Sequence, residues 1–198
     1  MIEDLIISRV RVKILTLFFL NVEKMYHLRE IQRQTNEAMN AVRREMQYLH
    51  KCGMMMAEAR GNRKYYHLRR DYPLYFDLMG LIYKTQGLGR AFIENRAKLG
   101  KVRFVMFSGR FIRMLPRRNN EVDILLVGKV VLPEITQIVK KEEERRGTEI
   151  NYTVMSEEEF AFRKQRRDPF VLGVLGGSRV MILGDEDEMV KTGATLQL

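Results

Sequence analysis

The chain has 198 residues, of which 45% are hydrophobic and 30% charged, a balance typical of a folded globular protein with one domain or two small ones. Its formal net charge is +10, which favours a polyanionic partner. Residues 1–85 carry 15 basic and 9 acidic side chains, and residues 86–198 carry 20 basic and 16 acidic side chains. A single cysteine excludes an internal disulfide and a cysteine-based zinc site, and no apolar run reaches the roughly 20 residues that span a bilayer.

The first elements of the chain are predicted to form a scaffold. Met1–Asp4 is acidic and lacks the basic start and apolar core of a secretory signal, so we expect a cytoplasmic location. Ser8–Phe19 is strongly apolar and predicts a helix beneath the elements that follow. Leu28–Thr35 predicts a short helix with one apolar face, and Asn36–Ala38 predicts a turn.

The next predicted helix, Met39–Lys51, is the most informative element. Val42, Met46 and Leu49 recur at i, i+4 and i+7, which is the spacing of one buried stripe. The opposite face carries four polar side chains, Asn40, Arg43, Arg44 and Gln47. Arginine pairs with guanine edges and asparagine or glutamine with adenine, so this face has the chemistry to read bases in a major groove. A solvated helix face without a ligand is the alternative.

Two β-rich runs follow this helix, Met54–Arg60 and Lys64–Leu68, and they predict a hairpin. Gly61–Asn62 between them is a tight-turn signal. The tip carries three cations, Arg60, Arg63 and Lys64. Helix, turn, helix and basic hairpin in that order predict a winged helix-turn-helix, in which the second helix enters the major groove while the hairpin grips the adjacent backbone. The alternative is a hairpin tip kept soluble by its charge.

The candidate DNA-contacting side chains fall into two groups. Base edges are assigned to the helix face, Asn40, Arg43, Arg44 and Gln47. Backbone phosphates, which set register without specifying sequence, are assigned to Arg29, Arg60, Arg63 and Lys64, and Asn62 at the hairpin tip completes the set. His27, His50 and His67 lie in three different elements without metal-ligand spacing, so no metal is expected among them.

The chain beyond the hairpin predicts a change of architecture. Residues 74–83 predict a helix that is apolar nearly all round, which favours a dimerisation element; packing on a second domain is the alternative. Gln86–Gly89 is the predicted boundary, which gives a first domain at 1–85 and a second at 86–198. Predicted strands then alternate with helices, at 102–107, 122–127, 150–154 and 180–183. This pattern predicts a small α/β domain with a mixed sheet, and the fold class of the whole chain is α+β.

The start of the second domain resembles a known family. A strand followed by Ser108-Gly109 and then by Glu121-Val122-Asp123 is similar to the minimal nucleotidyltransferase domain of the DNA polymerase β superfamily. The resemblance implies a Mg²⁺ site at Glu121 and Asp123, because carboxylates two residues apart on a strand point the same way. It also implies nucleotide phosphates held by Ser108, Gly109 and Arg110.

The chain departs from that pattern in each part. The Ser-Gly pair is in reversed order, an arginine-rich loop with Arg117 and Arg118 follows it, and Glu121 replaces the first aspartate. Asn151 stands where a third carboxylate is expected, and a neutral amide cannot deprotonate a hydroxyl. The expectation is therefore a degenerate domain that requires no cofactor and serves in sensing, assembly or binding another protein. One alternative is that the domain binds a nucleotide or Mg²⁺ without turnover. The other is a Mg²⁺-dependent, antitoxin-like nucleotidyltransferase acting on a protein or nucleic acid.

The first domain resembles ArsR-type transcription regulators of bacteria and archaea. The segments that carry the resemblance are Arg11–Leu15, Tyr26–Ile31, Asn40–Glu45 and Arg60–Tyr66. A winged helix followed by a nucleotidyltransferase-like domain is similar to a group of small prokaryotic proteins. Metal-sensing members use cysteine or histidine clusters, which this sequence lacks, so metal sensing is not implied. The resemblances imply a transcription regulator that binds double-stranded DNA as a homodimer.

Overall fold

Helices and strands are interspersed along the chain, which has a mixed α+β fold. The computed structural model describes residues 2–116 and 121–191, so the predicted cations Arg117 and Arg118 lie outside the described residues. Contacts between residues divide the chain into two compact units, Met1–Thr85 and Gln86–Leu198. Within the described residues, no helix combines the length and the apolar character needed to cross a bilayer.

Five helices lie in the described part of the first unit. They are α1 Ile2–Leu5, α2 Arg9–Phe19, α3 Leu28–Thr35, α4 Met39–Lys51 and α5 Tyr75–Thr85. The Ser8 hydroxyl caps α2 by accepting a hydrogen bond from the Arg11 N–H, and His27 Nδ1 caps α3 in the same way from Glu30. Asn36 ends α3 in the left-handed conformation, with φ of 51°. The predicted bounds of α3 and α4 are confirmed.

A three-stranded antiparallel sheet completes the first unit. It contains β1 Tyr26–His27, β2 Met55–Arg60 and β3 Arg63–Leu68, in the order β1-β3-β2. Arg60 pairs with Arg63, so Gly61 and Asn62 form a two-residue turn. Gly61 has φ of 57° and Asn62 does not have a positive φ, which is the pattern of a type II′ turn. The predicted hairpin is confirmed, with each strand end shifted by one residue at most.

The helix predicted to mediate dimerisation packs within its own unit. α5 contacts α1 and α2. The ring centroids of Phe19 in α2 and Tyr75 in α5 lie 5.5 Å apart. Tyr75, Met79, Ile82 and Tyr83 are buried. Leu74, just before the helix, and Phe76 are 52% and 57% exposed. Intramolecular packing therefore accounts for most of the apolar character of α5, and the predicted dimer remains a prediction.

The second unit is a mixed sheet with helices on both faces. Its strands are β4 Gly100–Ser108, β5 Ile124–Val130, β6 Tyr152–Met155 and β7 Arg179–Leu183. Its helices are α6 Gly87–Glu94, α7 Gly109–Ile112, α8 Leu132–Arg146, α9 Glu157–Gln165, α10 Pro169–Gly176 and α11 Glu186–Val190. The strand order is β6-β5-β4-β7, with β5 and β6 parallel and the other pairs antiparallel. The predicted mixed sheet is confirmed.

The start of the second unit agrees with the prediction, but the start of one predicted strand does not. The predicted boundary at Gln86–Gly89 coincides with the division of the chain after Thr85, and Gly87 and Gly89 lie inside α6. The strand predicted from Val122 begins at Ile124, so Glu121 and Asp123 precede β5 rather than lie on it. Their side chains are therefore not governed by the two-residue alternation of a strand.

Alternate residues of β4 pack on opposite faces of the sheet. Phe104 and Met106 belong to a buried cluster with Phe160 of α9 and Val171 of α10. Phe107 points to the other face. There its ring centroid lies 6.0 Å from that of Phe92 in α6 and 5.5 Å from that of Phe111 in α7. Residues 124–128 of β5 are all buried, as the nearly continuous apolar run predicts for a central strand.

Candidate functional site

All nine candidate DNA-contacting side chains are exposed. They lie on α3, on α4 and at the hairpin tip: Arg29, Asn40, Arg43, Arg44, Gln47, Arg60, Asn62, Arg63 and Lys64. Among the described residues, no acidic side chain lies within ion-pair distance of Arg29, Arg43, Arg44, Arg63 or Lys64. Arg60 differs, because its guanidinium lies 3.2 Å from Glu58, but both groups are exposed and such a pair contributes little.

The exposed face of α4 is longer than the sequence interpretation assigned. Val42, Met46 and Leu49 are fully buried, as predicted, and turn the opposite side of the helix to solvent. Lys51 is exposed and lies four residues after Gln47 and seven after Arg44, so it extends the same stripe. The helical period of the sequence is sufficient to identify Lys51 as part of this face.

A buried carboxylate fixes how α4 sits on the scaffold. Glu45 accepts hydrogen bonds from the Ser8 hydroxyl at 2.7 Å and from Arg11 Nε at 2.9 Å. Burial raises the pKa of Glu45, but the Ser8 and Arg11 hydrogen bonds outweigh it and hold that pKa below its usual value. The Arg11 guanidinium also lies over the Tyr48 ring, 4.1 Å from its centroid. These contacts join α2 to α4 and restrict rotation of α4 about its axis.

A second set of contacts holds the turn between α3 and α4. Lys13 Nζ donates hydrogen bonds to the Thr35 carbonyl at 3.0 Å and to Glu37 Oε1 at 2.5 Å. The hydrogen bond from Lys13 lowers the pKa of the Glu37 carboxyl. The Thr35 side chain is buried and donates its hydroxyl hydrogen to Ile31 O at 2.8 Å. The angle between α3 and α4 is thus set by α2 as well as by the turn itself.

Part of this surface lines an open groove of about 410 Å³. It is lined by five of the nine candidates, Arg29, Arg43, Asn62, Arg63 and Lys64, together with His27, Leu28 and Met39. The groove lies where the start of α3, the start of α4 and the hairpin tip meet. Four of its lining side chains are cations without an acidic partner among the described residues, an arrangement suited to phosphate. Asn40, Arg44, Gln47 and Arg60 lie outside its lining.

The second unit has a cleft of its own, of about 970 Å³. It is lined by four of the residues that the resemblance assigned to a nucleotide or a metal ion, Ser108, Gly109, Arg110 and Glu121. Asp123 does not line it. Asn151 and Thr153 form one wall, and α10 with Ser178 forms another. The contribution of α10 and Ser178 was missed, because pairing of β4 with β7 brings residues about seventy positions apart into contact and no local pattern reports it.

The backbone N–H groups expected to hold phosphate are engaged within the protein. Ser108 donates its N–H to Asp123 O at 2.9 Å, and Gly109 donates its N–H to Ser178 O at 2.6 Å. The Phe111 N–H donates to the Ser108 hydroxyl at 3.2 Å. Arg110 Nε lies 3.1 Å from Glu121 Oε2, and its guanidinium also donates to the Pro116 carbonyl. The expected cradle at Ser108, Gly109 and Arg110 is therefore occupied by protein atoms.

The acidic residues are engaged as well, and they do not fit a two-metal site. Asp123 Oδ2 accepts the Asn151 N–H at 2.9 Å, and the Asp123 N–H donates to Asn151 O at 2.8 Å, so Asp123 joins the start of β5 to the start of β6. Asn151 Nδ2 donates to Glu121 O at 3.3 Å. No group of three or more metal-ligating side chains occurs in 2–116 and 121–191. The residues present do not fit a Mg²⁺-bound triphosphate.

Gly109 is required by a close approach rather than by its backbone angles. A Cβ atom at this position would lie 1.9 Å from Ser178 Oγ and 2.8 Å from Ser178 O. The Ser108-Gly109 pair therefore serves the packing of α7 on the segment before β7.

No protein-family model, no curated protein and no solved structure matches this chain. The functional conclusion consequently rests on the residues and their geometry.

Proposed function

We propose that the chain is a DNA-binding transcription regulator whose first unit is a winged helix-turn-helix. α4 is its recognition helix and the β2–β3 hairpin is its wing. The observation that carries the proposal is the set of exposed cations on α3, α4 and the hairpin tip that have no acidic partner among the described residues. A solvated surface normally mixes charges of both signs, whereas duplex DNA neutralises unpaired cations.

The side chains have separate roles in this proposal. Asn40, Arg43, Arg44 and Gln47 read base edges from the face of α4, and Lys51 extends that face. Arg29, Arg60, Arg63 and Lys64 hold phosphates and set the register, with Asn62 at the tip of the wing. The groove that Arg29, Arg63 and Lys64 line accounts for how the wing and α3 hold one stretch of backbone, and Arg43 in the same groove belongs to the base-reading face of α4.

Selection of bound fragments from genomic DNA of the source organism tests the proposal. The full chain is expected to enrich fragments that share a sequence, and gel shifts of those fragments should weaken as salt concentration rises. The double variant Arg43→Ala, Arg44→Ala should lose the enrichment. Arg70→Ala is the matched control, since Arg70 is an exposed cation of the same unit that pairs with Glu23 at 2.7 Å. Absence of any salt-sensitive duplex binding would contradict the proposal.

In the same proposal the second unit serves sensing or assembly without nucleotidyl transfer. The contacts of Asp123 with Asn151 and of Glu121 with Arg110 support that role over catalysis. A homodimer is also proposed, because regulators of this kind bind two half-sites of a duplex. Sedimentation equilibrium tests it, and the exposed Leu74 and Phe76 make Phe76→Ser the variant to compare with the wild type.

A further inference from the structure

The cleft of the second unit has the size of a small-molecule site. Its volume of about 970 Å³ lies near the top of the range of about 300–1,000 Å³ usual for such sites. It lies at the end of β4, beside the start of β6 and against α10, entirely within the second unit. The nucleotidyltransferase resemblance implies a metal-bound triphosphate here, but the contacts of the lining residues indicate a different ligand.

The charges of the described lining residues disfavour phosphate. Arg110 is the one cation among them, and it is paired with Glu121 and hydrogen bonded to the Pro116 carbonyl. Glu121 and Asp168 are carboxylates, so the lining carries one more acidic than basic side chain. Asp168 also caps α10 by accepting the Val171 N–H at 3.1 Å, which satisfies the helix end where an anion would otherwise bind.

Uncharged polar groups also line the cleft. Among the described residues, no hydrogen-bond partner lies near the hydroxyl groups of Thr153 or Ser178. Asn151 lines the same cleft and uses its Nδ2 on Glu121 O. Hydroxyl and amide groups recognise ligand hydroxyl, amide or ring nitrogen atoms, and each can donate or accept. A neutral polar ligand would therefore find both donors and acceptors in the cleft.

The remaining wall of the cleft is apolar. Phe170 and Val174 of α10 are partly buried, pack against the cluster of the second unit and line the cleft. An aromatic ring beside aliphatic groups favours the flat face of a ring compound. From the size, the absence of an unpaired lining cation among the described residues, the neutral hydroxyls and Phe170, we propose that the cleft binds an uncharged ring compound of nucleoside size that carries no phosphate.

Calorimetric titration of the full chain tests this proposal. The probes are adenosine, guanosine, cytidine and uridine, each compared with its triphosphate in the presence of Mg²⁺. At least one nucleoside is expected to bind in the millimolar range or tighter, and more tightly than its triphosphate. Phe170→Leu should weaken that binding by about fivefold or more, because the stacking face is lost. Phe162→Leu, the same exchange at an exposed phenylalanine of α9 outside the lining, should leave it unchanged.

Thr153→Val provides a second variant if Phe170→Leu fails to fold, because it removes one hydroxyl and keeps the shape of the side chain. It should also weaken nucleoside binding, whereas Thr148→Val, at an exposed position outside the lining, should not. Three results would overturn the proposal. They are no binding of any nucleoside, tighter binding of a Mg²⁺-bound triphosphate, and unchanged affinity in the folded cleft variants.

Discussion

The two units carry similar net charge, +6 in 1–85 and +4 in 86–198, but the groove of the first and the cleft of the second differ in the cations that line them. In the cleft of the second unit, Arg110 is the one cation among the described lining residues, and it pairs with Glu121. On the candidate face of the first unit, Arg29, Arg43, Arg44, Arg63 and Lys64 have no acidic partner among the described residues. Net charge therefore indicates a class of partner, whereas the distribution of unpaired cations indicates where that partner binds.

The largest effect is expected at the recognition helix. Arg44→Ala should weaken binding to the selected sequence by about 1–3 kcal/mol, since a bidentate contact to a guanine edge is lost. Binding to unrelated duplexes should change much less. Fluorescence anisotropy with the two kinds of duplex measures the difference. Arg103→Ala in the second unit is the control for removal of an exposed arginine, and an equal loss on both duplexes would contradict base reading by Arg44.

Two glycines, one in each unit, should respond differently to alanine. Gly109→Ala should lower the free energy of unfolding by about 2 kcal/mol, because the new Cβ overlaps Ser178. Gly61→Ala meets no atom within 4 Å, so its cost of about 1 kcal/mol comes from the positive φ alone. Urea unfolding measures both. Ser178→Gly should partly rescue Gly109→Ala, and absence of rescue would count against the packing role of Gly109.

The carboxylate that anchors α4 links stability to pH. Glu45→Gln should lower the free energy of unfolding near neutral pH by about 1.5 kcal/mol, because the charged hydrogen bonds from Ser8 and Arg11 are weakened. The folded-state pKa of Glu45 lies below its usual value of 4.5, so this stabilisation is present above that pH. It is lost as the pH falls through the lower, folded-state value.

Glu142→Gln in α8 is the matched comparison for Glu45→Gln. Burial raises the pKa of Glu142, but its hydrogen bonds with Arg145 and Arg146 hold that pKa below its usual value. The Glu142→Gln variant should also have a lower free energy of unfolding than the wild type near neutral pH. This difference should disappear in acid. Only Glu45→Gln should also weaken duplex binding, since Glu45 orients α4. Equal duplex affinity in the two variants would contradict the prediction that Glu45 orients α4 for DNA binding.

The smallest effect is expected at the wing. Lys64→Ala should weaken binding to every duplex to the same extent, by about 1 kcal/mol or less, because a phosphate contact carries no sequence information. The slope of log affinity against log salt concentration should decrease in magnitude by about 0.9 for each protomer bound. Lys84→Ala, which removes an exposed lysine of α5, is the control. A loss confined to one sequence would contradict the assignment of Lys64 to the backbone.

Local patterns predicted the first unit well. The bounds of α3 and α4 follow from the spacing of Val42, Met46 and Leu49 and from the turn signal at Asn36–Ala38, all of which act within a few residues. The Gly61–Asn62 turn likewise fixes the hairpin register by itself. The contacts that orient these elements, such as Glu45 with Ser8 and Arg11, join residues far apart in sequence and could not be read from periodicity.

The second unit shows where local patterns fail. The sequence could identify Ser108, Gly109 and Glu121 as neighbours in one cleft only through a family resemblance, and it could not show that Gly109 N–H binds Ser178 O. Whether a polar group is available to a ligand depends on its partners in three dimensions. The partners of Ser108, Gly109 and Asp123 therefore had to come from the structure.

The salt dependence of duplex binding tests the central claim most directly. Anisotropy of the full chain with its selected duplex should give a linear decrease of log affinity with log salt, with a slope of about −3.6 for the four phosphate contacts of one protomer and about −7.2 for the proposed homodimer. The variant with alanine at Arg29, Arg60, Arg63 and Lys64 should give a slope near zero. An identical slope in the two proteins would contradict the account, because the exposed cations of the first unit would then not be the groups that meet the phosphates.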